Sequence, residues 1–376
     1  MRAPDLPPVT YVSIDPVAGG VGASQVLPYV VGLARRGVAV RLHSFELDRE
    51  RIGDVGERLA AVGVRWMPRR FGAAGAAGGV GRIVRAARVM RGAAFVHARS
   101  HPAAAAAALA RPDRWVFDAR SLWTEQRIEQ DMLRRGSAQE RVMRRLERRA
   151  ACTADGVVTL TAAAVPALEA RTGCPIASKA RVVRTCVDTS RFALTPMPPG
   201  GRVRLLLSGT LNALYDIPTM VRLAGKIDGA ALEWVGPEGS PWETALAAAG
   251  VEREELPFAE MPGRVAAAHA GLCVLRPLAS SVAAAPTKIG EFLACGRPVV
   301  VDAAIGDLPP LLRQAACGVV VDDTSDEGLD RAASALIELI ADPETPGRCR
   351  RFAETHFDLD AAVDALVELY RTVAVS

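Results

Sequence analysis

Short apolar runs rich in β-branched residues alternate along this chain with stretches of helical character, and the alternation stops once and then begins again. Residues 9–14 (VTYVSI) read as a buried strand. They lead into Ala18-Gly19-Gly20-Val21-Gly22-Ala23-Ser24 and then a predicted helix over 25–35, with Ser24 as N-cap and Gly37 as the glycine that ends it. Further strands are predicted at 38–45, 95–98, 115–118, 156–160 and 181–184, with helices between them. Strands that alternate with helices in this way build βαβ units around a parallel sheet.

The second series has strands at 203–208, 231–235, 271–275 and 298–301, and helices at 218–226, 261–269 and 287–295. Between the two series lies Thr195-Pro196-Met197-Pro198-Pro199-Gly200-Gly201, which has little to pack. The chain of 376 residues suits two domains. The division predicted is a Rossmann-like domain over 1–194, a linker over 195–201 and a second Rossmann-like domain over 202–358, the two facing across a cleft. An amphipathic helix over 359–376 could pack back on the first domain. No repeat of solenoid length is present.

Half the residues are apolar and 23% are charged, which excludes a disordered chain. No run approaches the ~18 apolar residues of a spanning helix, and MRAPDLPP lacks a signal peptide's apolar core, so a cytoplasmic protein is expected. Cys152, Cys174, Cys186, Cys273, Cys295, Cys317 and Cys349 are dispersed without a CxxC pair, which predicts reduced thiols and no structural zinc. Residues 1–190 hold 30 Lys and Arg against 17 Asp and Glu, a net +13, and residues 191–376 hold 16 against 25, a net −9. A basic half suits an anionic acceptor or a membrane surface. Nucleic acid is not expected, because no aromatic interleaving accompanies the charge. The stretch from Arg134 to Arg149 predicts a helix starting at Ser137. Its stripe of Val142, Met143 and Leu146 would be buried, or would rest on an anionic membrane.

Three loops at the carboxyl ends of strands have the small residues a ligand's close approach requires: Gly19-Gly20-Val21-Gly22, Ser208-Gly209-Thr210-Leu211-Asn212 and Gly236-Pro237-Glu238-Gly239. The first is not the dinucleotide fingerprint, although Glu46 ends the following strand. His97 and His101 flank Pro102, which argues against a helix through the pair and against a metal site. His43, His269 and His356 read as structural or solvated. Asp118 and Arg120 close a strand, either as a structural pair or as site residues, and Trp123 and Glu125 follow on the side expected for an acceptor.

The segment Pro286-Thr287-Lys288-Ile289-Gly290-Glu291 starts a helix after a proline, with Lys288 and Glu291 on one face. Spacing alone allows a surface ion pair or a site, the lysine suiting a diphosphate without a metal and the carboxylate suiting ribose hydroxyls.

PTKIGEFLACGRPVVV resembles the signature of family-4 glycosyltransferases, retaining enzymes of the GT-B fold. GGVGAS, VFDARSLWTEQ, ADGVVTLT, RTCVDTSRF, SGTLNALYDIP, EWVGPEG and AEMPGRVAAAHAGLCVLRP fall in the family's order, so the resemblance covers nearly the whole chain. It implies that Lys288 binds the donor diphosphate and Glu291 the ribose. Ala283, Ala284 and Thr287 would offer backbone N–H groups, Gly20 and Val21 would approach the diphosphate from the other domain, and Gly209 and Thr210 would line the phosphate site. Asn212, Gly236 and Pro237 complete the donor loops, with Lys288, Asp118 and Arg120 as the catalytic set. Ala283 stands where the family has the first glutamate of its E-x7-E pair. The usual arginine and lysine are absent from SGTLNALYDIP, and Asp118 occupies the place of a histidine.

The implied reaction moves a sugar, with retention, from a nucleoside-diphosphate sugar to a glycan, lipid-linked or small-molecule acceptor. It needs no metal and no cofactor beyond that co-substrate. A nucleotide-sugar epimerase or a non-catalytic nucleotide-sugar-binding protein is the alternative.

Overall fold

Two parallel sheets account for the two series of strands. The computed structural model of the protein describes residues 6–48 and 50–375. The first five residues, part of the segment read as lacking a signal core, lie outside them. The chain divides into two units, Met1–Arg184 with Leu359–Ser376, and Thr185–Asp358.

Unit 1 holds β1 (Val9–Ser13), β2 (Val40–Glu46), β3 (Arg65–Arg70), β4 (Phe95–Arg99), β5 (Trp115–Ala119), β6 (Gly156–Thr159) and β7 (Ala180–Val182), in the order β3-β2-β1-β4-β5-β6-β7. Unit 2 holds β8 (Arg204–Ser208), β9 (Ala231–Val235), β10 (Arg253–Glu254), β11 (Ala270–Cys273), β12 (Val299–Asp302) and β13 (Gly318–Val321), in the order β10-β9-β8-β11-β12-β13. Both are Rossmann-like: the strand order reverses once, between β1 and β4 and between β8 and β11, and ligands of such sheets bind beyond the strand ends at the reversal. Helices on both faces bury the central strands completely, which is why those strands read as apolar runs. β3 (RWMPRR) was not predicted, because this edge strand carries arginines and a proline on a half-exposed ribbon.

Local chemistry moves several predicted boundaries. The helix expected over 25–35 is two helices, Gly20–Gln25 and Leu27–Arg35, broken at Val26 because Pro28 in the second helix's first turn has no N–H to continue the ladder. Gly19 is the N-cap; Ser24 lies inside the first helix and donates to the Val21 carbonyl at 3.1 Å. Pro102 does not stop a helix: it sits in the first turn of Ser100–Ala110, where its missing N–H has no bond to lose.

The helix Leu359–Val375 packs within unit 1. Val363 lies so close to Gly32 that a Cβ there would meet it at 2.7 Å, and Leu369 and Val373 crowd Gly156 in the same way. Arg36 pairs with Asp360 at 3.0 Å and with Asp364. Residues 185–194, assigned from sequence to the first domain, fold with unit 2. The Val187 amide donates to Phe357 O at 2.8 Å, and Phe192 is buried in that unit's core. The start of the predicted linker is tied down as well, because the buried Arg297 guanidinium donates to the carbonyls of Thr195, at 3.0 Å, and Pro196, at 2.8 Å.

Ser137 caps the helix Ala138–Thr153 as expected, accepting from the Glu140 amide at 3.1 Å. The buried face is not Val142, Met143 and Leu146; it carries Glu140, Glu147, Ala150 and Ala151. Arg144 reaches Glu140 at 2.6 Å, and His101 meets Glu147 at 2.9 Å, so the carboxylates enter already paired and Val142 is left exposed.

The expectation of seven reduced thiols fails for one pair. Cys152, at the end of that helix, and Cys174, just past the helix Ala164–Thr172, form a disulfide with Cα atoms 5.2 Å apart, while the other five cysteines are free and buried. Packing of the two helices brings together residues that sequence order separates. Among the described residues no helix is long and apolar enough to cross a membrane.

Candidate functional site

In unit 2 the chain turns sharply after β8. Gly209 takes the left-handed conformation (φ +74°), its amide donates to Val235 O at 2.7 Å, and its carbonyl accepts from the Trp234 indole at 3.2 Å. Gly236 closes the neighbouring turn, where a Cβ would strike Gly209 O at 2.5 Å. Pro237 and Thr210 are exposed, while the Asn212 side chain accepts from the Leu214 amide at 3.0 Å and so shapes its own loop.

Across the strand-order reversal, β11 is followed by a short 3₁₀ turn, Ala279–Ala283, and then the helix Thr287–Ala294. Pro286 precedes the first helical residue and has extended backbone, as a residue that ends a loop should. Thr185 donates its hydroxyl to Ala285 O, fixing the loop that contains Ala283 and Ala284.

Lys288 and Glu291 are both buried, each 8% exposed, so they are not a surface pair. The Lys288 ammonium has no hydrogen-bond partner among the described residues. It lies over the Tyr215 ring, 4.3 Å from the centroid, and a Cβ on Gly209 would stand 3.8 Å from it. Burial pushes the Glu291 carboxyl up to about 7 against the opposing fields of Lys288 and Arg191. Burial also pushes the Cys273 thiol, at the end of β11, up to about 12, which makes it a poor nucleophile. A buried cation without an acceptor is costly, and here it faces the glycine turn.

In unit 1 the loop after β1 is clamped by Glu46, which the sequence offered only as the acid of a failed dinucleotide fingerprint. Glu46, ending β2, accepts from the amides of Val17 at 3.0 Å and Ala18 at 3.0 Å. Gly22 must be glycine, because a Cβ would meet Pro16 O at 2.0 Å. Gly20 (φ +56°) and Val21 lie exposed at the first turn of the helix Gly20–Gln25. Asp118 near the end of β5 is buried and shared between His97 Nε2 at 3.3 Å and Arg120 at 3.4 Å. Burial alone would raise its pKa; Arg120, His97 and Arg99 outweigh that and hold it at about 2. Tyr370 completes the network on His97 Nδ1 at 2.8 Å, and Tyr11 stacks on that ring at 4.2 Å.

Residues 19–186 match the family model described as a glycosyl transferase 4-like domain. No curated protein matches the chain in sequence. The fold, however, recurs widely among solved glycosyltransferases. HepE of Anabaena in complex with UDP-glucose superposes with a TM-score of 0.72 at 15% identity, over 98% of this chain and 99% of that one. Sucrose-phosphate synthase of Thermosynechococcus elongatus gives 0.71 at 17% identity, over 98% and 100%. WaaG, a glycosyltransferase of lipopolysaccharide biosynthesis, gives 0.65 at 13% identity, over 96% and 98%. The chain thus has the GT-B fold.

Within the glycosyltransferase fold, Lys288, Gly209 and Gly236 come together in unit 2, and Asp118 and Arg120 meet in unit 1. Glu125 lies outside that group, buried under Arg135, Arg144 at 3.2 Å and Arg171 at 2.8 Å. Trp123 stacks with His101 at 6.1 Å and lies under Arg127. Both side chains are occupied by their neighbours. Tyr215 was missed although it lies in the singled-out SGTLNALYDIP, and Ser208, named in the loop without a role, has a buried hydroxyl with no partner among the described residues. The signal for Tyr215 was its position beside the glycine turn. Among the described residues no three His, Cys, Asp or Glu cluster as metal ligands.

Proposed function

We propose that the protein transfers a sugar, with retention at the anomeric carbon, from a nucleoside-diphosphate sugar to a glycan, lipid-linked or small-molecule acceptor. The observation that carries this reading is the buried, unpartnered Lys288 ammonium beside the Gly209 turn. Lys288 takes the diphosphate and Glu291 the ribose hydroxyls. Gly209, Thr210 and the backbone of Ala283, Ala284 and Thr287 line the phosphates, with Asn212, Gly236 and Pro237 at the loop ends. Gly20 and Val21 are the donor residues of unit 1, and Asp118 and Arg120 serve the acceptor side.

As the bond from the anomeric carbon to the diphosphate breaks, charge grows on the leaving oxygen, where a preorganised cation is worth most. The acceptor oxygen bonds to the same carbon from the same face, and its proton passes to a diphosphate oxygen. No protein nucleophile and no metal are needed.

Screening UDP, GDP, ADP and TDP by thermal shift, then comparing turnover of Lys288→Ala with the parent, tests the proposal. UDP comes first, because HepE, of the same fold, is seen with UDP and UDP-glucose. Unchanged turnover in Lys288→Ala, or no shift with any nucleotide, sinks it.

A peripheral membrane contact belongs to the same reading. Arg141, Arg145 and Arg148 are exposed on the helix Ala138–Thr153 with exposed Val142, a surface suited to anionic headgroups. Co-sedimentation with phosphatidylglycerol vesicles, absent with phosphatidylcholine, is the expected result; no binding to either removes the contact.

A further inference from the structure

The carboxyl end of the first sheet holds more positive charge than its surroundings neutralise. Arg99 ends β4 at the strand-order reversal, and Arg120 follows β5. The register sets Arg99 beside Asp118, and alternation keeps Arg120 on the face of Asp118, which it contacts at 3.4 Å. Asp118 is the carboxylate whose field bears most on Arg120. Glu46 is committed to the amides of Val17 and Ala18. Among the described residues the Arg99 side chain makes one hydrogen bond, to the neutral Gln25 amide at 3.0 Å. Burial lowers the pKa of His97 and raises those of Tyr11 and Tyr370, so all three stay neutral near pH 7.

Two guanidinium groups therefore face one carboxylate, and Nε of Arg99 with Nε and Nη2 of Arg120 are buried without a hydrogen-bond partner among the described residues. Removing such groups from water without an acceptor is unfavourable. The helix Ser100–Ala110 begins immediately after Arg99, with no side-chain cap and with Ser100 at φ +72°, so its first N–H groups and its dipole face the same end of the sheet.

The geometry points to a phosphate-binding site formed by Arg99 and Arg120, which takes a phosphate group carried by the acceptor. Guanidinium forks match phosphate oxygens, and the free N–H groups outnumber the two oxygens of a carboxylate. That the ligand is the acceptor rests on the transferase reading; the binding of phosphate does not.

Inorganic phosphate titrated calorimetrically into Lys288→Ala, which lacks the cation assigned to the donor, tests the site. The Lys288→Ala protein is expected to bind phosphate. Adding Arg99→Gln or Arg120→Gln weakens binding by about tenfold or more, and the lysine variants, which keep the charge and lose the fork, fall between. UDP affinity in the arginine variants with Lys288 intact stays within about twofold of the parent.

The site is refuted if Lys288→Ala takes up no phosphate, or if the glutamine variants bind it as before. An equal loss of UDP would reassign the arginines to the donor and overturn the proposal. Acetate binding as tightly as phosphate overturns the choice of ligand. Where circular dichroism shows a glutamine variant unfolded, the lysine variants and the parent titration decide. A parent that binds phosphate and no nucleotide would end the transferase reading and leave this site standing.

Discussion

Lys288 sets its ammonium over the face of Tyr215, 4.3 Å from the ring centroid, and forms no ion pair with Glu291, the carboxylate one turn along the same helix. Two buried ionisable groups on one helix face thus do not pair, and the ammonium is left without a hydrogen-bond partner among the described residues, an arrangement that stability alone does not favour. A cation–π contact returns only about 0.5–2 kcal/mol.

Replacing Lys288 with Met should therefore separate stability from binding. The methionine fills similar space without a charge, so the unfolding free energy should rise by roughly 1–3 kcal/mol. Affinity for a nucleoside diphosphate should fall between about tenfold and a hundredfold. Denaturant unfolding and calorimetric titration read the two effects. A destabilised variant that still binds nucleotide would make Lys288 structural.

Glu291 predicts a pH dependence with a definite sign. Its carboxyl is raised from 4.5 to about 7 by burial. A raised acid stabilises the fold fully below its unfolded value, and that contribution is lost as pH rises through about 7. Apo stability should decline across this window, and Glu291→Gln should flatten the decline. If ribose hydroxyls donate to the carboxylate, affinity for an intact nucleotide sugar should instead rise through about pH 7, and the glutamine variant should abolish the rise. Titrations at several pH values on parent and variant decide; parallel profiles would free Glu291 from the nucleotide.

The fold was legible where burial is two-sided. β1, β4, β5, β8 and β12 read directly as largely apolar runs, because parallel strands under helices bury both faces, and polar residues such as Arg99 and Asp118 fall toward their carboxyl ends. The helix Thr287–Ala294 was legible from Pro286 and its flanking loop. What escaped the sequence depends on partners distant in the chain. Glu46 reads as an ordinary acid until Val17 and Ala18 fold against it. The inward face of Ala138–Thr153 was misread because paired carboxylates replaced the apolar stripe. Arg99 escaped because a single arginine in a basic half draws no notice until its strand neighbour is known.

Glu46 is the anchor of the first glycine loop, and its removal should show in stability. Glu46→Ala leaves the amides of Val17 and Ala18 without their carboxylate, at about 1.5–3 kcal/mol for bonds to a charged group. Glu46→Gln keeps one acceptor oxygen and should lose less. Chemical denaturation measures both. Equal stability of parent and Glu46→Ala would show that the loop holds its shape without the clamp.

The Cys152–Cys174 link predicts a redox-dependent stability. It closes a loop spanning 22 residues of sequence, and by the chain-entropy account such a loop contributes about 3 kcal/mol by restricting the unfolded chain. Cys152→Ser should lower stability by about that amount, and reductant should lower the parent to the same level while leaving the variant unchanged. Alkylation of the unfolded, unreduced parent followed by mass spectrometry should label the five other cysteines and spare this pair. Seven labelled thiols, or a parent insensitive to reductant, would mean that the helix ends are held by packing alone, through the contacts of Ala138–Thr153 with Ala164–Thr172.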